Sequence, residues 1–317
     1  MTVTVTTPTG TLTSNSIPQK GESKSQNVTS HGYNRQQCSM NRLRVAKILI
    51  AVATMSLGAF AQDGFFYKWE NRVRSTMSQQ PPWPVPLFSP TSNITQLFRY
   101  DIVRQITPAG THTWNYGFSK GFNLIPWYNT EIDVNLPPYI QHNSSAQDGF
   151  GDFGMTVKYR LAAGNLDHGN YSIAASLAST FPTGSYKNGA QHATFGPTLH
   201  AGKGYKNFDV VTSVGATLPT ADSDVIGRPV VWNVVGQYRI HKIFWPEIEN
   251  NATFFHGGPN DGRVQNFISP GLVISPLKLT SDTKSRLGFI LGIGEQIATT
   301  HFHTYNHGLM LDARFIF

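Results

Sequence analysis

The side chains best placed to do chemistry in this sequence are charged residues set two apart. Arg99 and Asp101 flank Tyr100, Glu131 and Asp133 flank Ile132, Lys158 and Arg160 flank Tyr159, Glu247 and Glu249 flank Ile248, and Asp312 and Arg314 flank Ala313. A spacing of two puts both charges of a pair on one face of an extended strand and the residue between them on the other. With Asp152 and Arg239 they form a set of inward-facing candidates of both signs. Two chemistries suit such a set. One is a charged constriction that sorts solutes. The other is a ladder of cross-strand ion pairs that stiffens a narrow barrel, each pair contributing about 0.2–1 kcal/mol. If the connection 137–148 keeps register, Asp133 faces Lys158 and Glu131 faces Arg160. A turn centred on Ile243 brings Arg239 opposite Glu247, and Arg99 and Asp101 meet Asp312 and Arg314 if the first and last strands pair.

Other reactive groups are thinly spread. His301 and His303 lie on one side of an extended segment, a spacing that suits two metal ligands, but no third ligand accompanies them. His142-Asn143-Ser144 is the nearest string to a hydrolase constellation, and it falls in an expected loop. No carboxylate pair accompanies His256, His301, His303 and His307, as a rim protease would need. Glycines occur at strand and turn positions and form no phosphate or dinucleotide loop. The expectation is no cofactor, no metal and no catalytic residue.

Charge and targeting come next, because they decide where these residues work. The net charge is +7 over 317 residues. Five of those seven charges come from residues 1–61, where Lys20, Lys24, Arg35, Arg42, Arg44 and Lys47 oppose Glu22 alone. The remainder has no basic patch, so nucleic acid is not an expected partner. Met40 to Lys47 is a basic stretch, Ile48 to Phe60 is mostly apolar, and Ala59-Phe60-Ala61 has the pattern of a signal-peptidase site, giving a mature start at Gln62. Residues 40–61 therefore read as a secretory signal peptide. Residues 1–39 are rich in Thr, Ser, Asn and Gln and read as a disordered extension. Translation is expected to begin at Met40. The one cysteine, Cys38, precedes the apolar run, which argues against a lipoprotein, and leaves the rest of the chain without thiol chemistry.

The elements that must position the charges follow. Residues 62–93 carry Pro81, Pro82, Pro84, Pro86 and Pro90, which favour extended coil; this is a periplasmic tail or a segment folded into a lumen. Residues 94–317 repeat amphipathic strands separated by turn signals. Phe153, Met155, Val157, Tyr159 and Leu161 alternate with Asp152, Gly154, Thr156, Lys158 and Arg160. About twelve strands are expected, near 94–105, 111–120, 127–136, 149–162, 169–181, 193–203, 206–219, 228–241, 245–256, 264–275, 286–298 and 306–317. No apolar run reaches the 18 or so residues that a membrane-spanning helix needs, which says nothing against a barrel. Trp114, Trp127, Trp232 and Trp245 near strand ends are candidates for interfacial girdles or for ordinary core packing.

The chain ends on an alternating strand, with Leu309, Leu311, Ala313, Phe315 and Phe317 on one face and Asp312 and Arg314 on the other. An apolar edge invites pairing. In a closed membrane barrel the last strand pairs with the first and turns that face to lipid. The fold class read from the sequence is thus all-β, a closed antiparallel transmembrane β-barrel with a Pro-rich N-terminal segment. A soluble sandwich alternates too, but lacks a reason for the export signal and the terminal aromatic.

Several stretches resemble the outer-membrane barrel family named after the meta-pathway of phenol degradation. They are Asn129-Thr130-Glu131, Leu136-Pro137-Pro138-Tyr139, Asp148-Gly149-Phe150-Gly151-Asp152-Phe153, Lys158-Tyr159-Arg160-Leu161, Phe181-Pro182-Thr183-Gly184-Ser185, Gly202-Lys203-Gly204 and the C-terminal strand. The resemblance covers most of residues 94–317. It implies a bacterial outer-membrane barrel that passes small, aromatic or hydrophobic compounds, with outer-membrane lipid, the barrel-assembly machinery and a small-molecule solute as partners. It also implies that the ending at Phe317 is what that machinery reads. The first 39 residues depart from the pattern. A passive channel is the leading expectation, a barrel that conducts nothing is the alternative, and an outer-membrane hydrolase comes third. Nothing in the chain specifies an oligomeric state.

Overall fold

The computed structural model describes residues 64–185, 188–282 and 285–317. The expected extension and signal peptide, Cys38, and the expected cleavage residues Ala59, Ala61 and Gln62 lie outside the described residues. A helix comes first, α1 (Phe65–Ser78). Strand segments follow: β1 (Leu97–Ile106), β2 (His112–Gly117), β3 (Gly121–Trp127), β4 (Thr130–Asn135), β5 (Tyr139–His142), β6 (Gly149–Phe150), β7 (Phe153–Gly164), β8 (Tyr171–Phe181), β9 (Thr194–Tyr205), β10 (Phe208–Ala216) and β11 (Leu218–Pro219). After one helical turn, α2 (Ser223–Ile226), come β12 (Val230–Tyr238), β13 (Phe244–Phe254), β14 (Val264–Lys278), β15 (Gly288–Ala298) and β16 (His307–Ile316).

Short breaks divide single crossings. β2 and β3 both pair with β1, β3 and β2 pair in turn with β4 and β5, and β10 and β11 both pair with β9. The segments therefore make a closed antiparallel barrel of twelve crossings, sealed by β16 on β1 over ten residue pairs from Leu97↔Ile316 to Ile106↔His307. Closure leaves no free edge, which satisfies backbone groups that an open apolar sheet would expose.

The alternation in sequence becomes two surfaces. Outward positions are apolar and bare: Tyr159, Leu161, Leu199, Ile248, Ile293 and Leu311 are all about half exposed. Aromatic contacts run around this surface at both ends. At the far end Trp114, Tyr116, Tyr139 and Phe150 make successive ring contacts, stacked, then tilted, then edge-on. At the end that holds α1, Phe98 meets Phe122, and Phe289, Phe315 and Phe317 form a second row. Trp127 (63 % exposed) and Trp232 (46 %) face outward, whereas Trp245 (4 %) faces inward and packs in the core, so it belongs to no girdle.

Two expectations about boundaries are corrected. The second and third crossings run 112–127 and 130–142, longer than expected, because positive φ at Phe118, Ser119 and Asn129 permits a break and a tight turn where a continuous pattern would fail. Residues 62–93 are not coil throughout. Before Pro81 the sequence from Phe65 to Ser78 has no Pro or Gly and puts Val73 and Thr76 on one buried face, with Glu70 and Arg74 paired at 2.7 Å on the other.

Candidate functional site

The barrel interior is filled by the segment that precedes the first strand. From Gln80 to Gln96 the chain runs inside the wall, and Trp83, Leu87 and Ile94 are buried. Trp83 and Leu87 form an inner core with Val103, Val211, Val235, Trp245, Val273, Ile290 and Met310. The wall is cut to fit them. A Cβ on Gly271, Gly292 or Gly294 would lie 2.4–2.7 Å from Leu87, and one on Gly202 or Gly204 would lie 2.6–2.8 Å from Trp83. Glycine at these inward positions lets plug side chains reach the sheet.

Most of the wall's charges bind the backbone of this plug. Arg314 donates from Nη1 to Val85 O (2.5 Å) and from Nη2 to Pro86 O (3.1 Å). Arg99 donates to Pro86 O (3.1 Å) and to Leu87 O. From β13, Glu247 accepts Leu87 N–H (3.0 Å), and Glu249 accepts Phe88 N–H (2.8 Å) and Ser89 N–H (2.7 Å). Lys158 pairs with Glu131 at 2.5 Å and donates to Asn93 O at 3.2 Å, while Glu131 accepts Thr95 N–H and Thr95 Oγ1–H. Arg160 reaches the last turn of α1 through Thr76 O (2.6 Å), where a cation also suits the helix dipole. The plug's prolines fit this scheme, because each removes a backbone donor that would otherwise need a buried acceptor.

Several expected pairings are corrected by register. Across β4 and β7, Glu131 lies opposite Lys158 and Asp133 opposite Thr156, two residues from the expected match, because the strand continues past 137. Arg160 bonds Asn129 in place of Glu131. Asp133 accepts from Asn123 Nδ2 at 2.6 Å. Gln237, not Arg239, lies opposite Glu247 and donates to it at 2.6 Å, because the hairpin turns through His241 and Lys242 with positive φ. Arg239 lies beyond β12, bonds Asn207 at 3.2 Å and stacks over Trp245. At the seam, like stands opposite like: Arg99↔Arg314 and Asp101↔Asp312. Such pairs would repel, but the side chains cross diagonally. Arg99 contacts Asp101 (2.9 Å) and Asp312 (3.0 Å), and Arg314 contacts Asp312 (2.8 Å).

Asp152 does different work. Its carboxylate accepts Gly184 N–H (2.9 Å) and Ala190 N–H (2.6 Å), and Thr183 Oγ1 accepts Phe153 N–H (2.9 Å). The Asp-Gly-Phe-Gly-Asp-Phe and Phe-Pro-Thr-Gly stretches, far apart in sequence, thus meet at the loop end of the barrel. On the closing strand, Leu309, Leu311 and Ala313 are exposed outward and Phe315 and Phe317 are half-buried; the Phe317 carbonyl accepts Arg286 Nη2 at 2.5 Å. Arg286 also holds Glu70 of α1 at 3.0 Å.

His303 is engaged by Thr300 O and Asn306 Oδ1, both at 2.7 Å, His301 is exposed, and no metal-binding cluster occurs among the described residues. His142 ends β5 and bonds Asn188, and Ser144 accepts Ala146 N–H, so the string holds a strand end and the loop after it. Within the lumen Ser176 Oγ lies 2.8 Å from His200 Nε2, but His200 Nδ1 has no hydrogen-bond partner, and so no orienting carboxylate, among the described residues.

Space remains beside the plug. A cavity of about 400 Å³ toward the far end shares Pro90, Ala178 and Thr198 with a middle cavity of about 280 Å³. The middle cavity shares Val85, Thr95 and Leu97 with one of about 500 Å³ at the α1 end, walled by Gln80 to Trp83 and Asn165 to Asp167. Lys120, which lies in the break between β2 and β3, lines the middle cavity. A period of two from Trp114 and Tyr116 puts Lys120 on the outer face; the positive φ of Gly117, Phe118 and Ser119 before it resets the phase.

No family model and no curated relative matches the chain. Among solved structures, the chain is similar to the crystal structure of an outer membrane channel from Pseudomonas putida F1, at a TM-score of 0.52 and 14 % identity over 74 % of this chain and 100 % of that one. It also matches the NanC porin at a TM-score of 0.46 and 9 % identity, over 69 % of this chain and 100 % of that one. The first likeness is one of fold.

Proposed function

We propose that this chain is a bacterial outer-membrane channel that passes small molecules passively, without cofactor or reaction. The observation that carries the reading is the row of adjoining cavities beside the plug, inside a closed barrel whose outer surface is apolar and ringed by aromatics at both ends. Such a surface suits lipid, and such a barrel suits a pore narrower than an open porin. In this reading residues 40–61 deliver the chain for export, and the closing strand ending at Phe317 is recognised during assembly. Resemblance to the phenol meta-pathway barrels favours aromatic or hydrophobic solutes.

Planar-bilayer recording of the refolded chain tests this. The expected result is small single-channel steps, enlarged by deleting residues 65–93. No steps from either protein would sink it. Faster migration of unboiled than boiled samples in detergent gels would accompany an intact barrel.

A second reading has its own support. Trp83 and Leu87 fill the lumen at the level of the inner core, as they would in a barrel that binds or braces and conducts nothing. The same recordings decide between the two.

A further inference from the structure

We propose that the middle cavity is a binding site for a small organic carboxylate with an apolar body, held by Lys120. The site rests on the channel reading for its purpose but not for its existence. The other cations lining the cavity are committed: Arg99 and Arg314 to Asp101, Asp312 and plug carbonyls, and Lys158 to Glu131. Lys120 has no hydrogen-bond or ion-pair partner among the described residues. Its backbone is fixed, with its N–H on Gly117 O at 2.9 Å and its carbonyl on Leu136 N–H at 3.1 Å, so the ammonium is presented from a rigid bend. Arg99 and Arg314 stand nearby; of the carboxylates around Lys120, Asp101 is held by Arg99, and Asp133, the one carboxylate lining the cavity, is turned to Asn123.

The rest of the cavity defines the body of the ligand. Val85, Leu97 and Ala178 give it apolar walls, and Ser176 and Thr198 give it hydroxyls. One uncommitted ammonium matches one negative charge, and a compact point charge suits a carboxylate that need not be gripped in a fork. A volume of about 280 Å³ accommodates a single-ring acid. A phosphate monoester, carrying nearly two charges, would find only half its complement.

Binding is measured directly on the full refolded chain in detergent, by calorimetry and by saturation-transfer NMR, with benzoate and its neutral isostere benzamide as probes. Benzoate is expected to bind at least about tenfold more tightly than benzamide, as charge-assisted hydrogen bonds require. Lys120→Gln should bring benzoate down to the benzamide level, Lys120→Arg should keep most of the difference, and Asp133→Asn should widen it. Equal binding of the two probes, or benzoate binding indifferent to Lys120→Gln in protein that still shows heat-modifiable migration, overturns the proposal. Conductance is read separately. Lys120-dependent benzoate binding without current would overturn the channel reading and leave this site standing, and current without Lys120-dependent binding would do the reverse.

Discussion

Two walls enclose the lumen, and they treat polarity differently. On the seam and β13, charges of both signs are dense and mostly engaged with the plug: guanidinium groups hold plug carbonyls and carboxylates hold plug amides. On β9, β10 and β12, polar groups are sparser and less well served. Both carboxylate oxygens of Asp209, Nδ1 of His200 and Oε1 of Gln237 are buried without a hydrogen-bond partner among the described residues. The difference teaches that charge density is a poor guide to free charge in this barrel. The seam's charges are spent on the protein's own backbone, so the middle cavity that Arg99 and Arg314 line keeps Lys120 as its one cation without a partner among the described residues.

The contrast can be broken at the clamp first. Glu249→Leu removes the acceptor of two plug amides and should cost about 3–5 kcal/mol of plug docking. Limited proteolysis across Pro81–Pro90 should show the segment released, and bilayer currents should rise. Next, Lys158→Met leaves Glu131 buried without its counter-ion, at a cost of about 3 kcal/mol, while Lys158→Met with Glu131→Leu should cost less than the single change. A double-mutant cycle in chemical denaturation measures this. Gly292→Val drives a side chain into Leu87 and should destabilise by about 1–3 kcal/mol, read as a lowered denaturation midpoint. The smallest effect has the opposite sign. Asp209→Asn replaces a buried carboxyl without a hydrogen-bond partner among the described residues by a neutral amide and should stabilise by about 1 kcal/mol in the same assay.

The barrel itself was legible in the sequence. Period-two alternation survives any error in register, so an all-β closed barrel of twelve crossings follows from the pattern of Phe153 to Leu161 and its repeats. Partners across strands were less legible, because they depend on turn geometry. Left-handed residues at Asn129 and at His241 and Lys242 set the pairings of Glu131 and Glu247, and neither type of residue is obliged to adopt that conformation. The helix α1 was not read from the sequence: Phe65 to Ser78 has no Pro or Gly to forbid it, but the prolines that follow set the expectation of coil for the whole segment. The clamp was not readable at all. Its targets are carbonyls and amides, which every residue carries, so the plug shows no complementary side-chain pattern to match the charges that hold it.

The clamp also imposes an order on assembly. Val85, Pro86 and Leu87 are gripped by Arg99 on the first strand and Arg314 on the last, two residues more than two hundred positions apart in the chain. The grip is complete only once β16 has come round to β1. The segment that precedes every strand is therefore the last to be secured, and its protection from protease is a clock for ring closure.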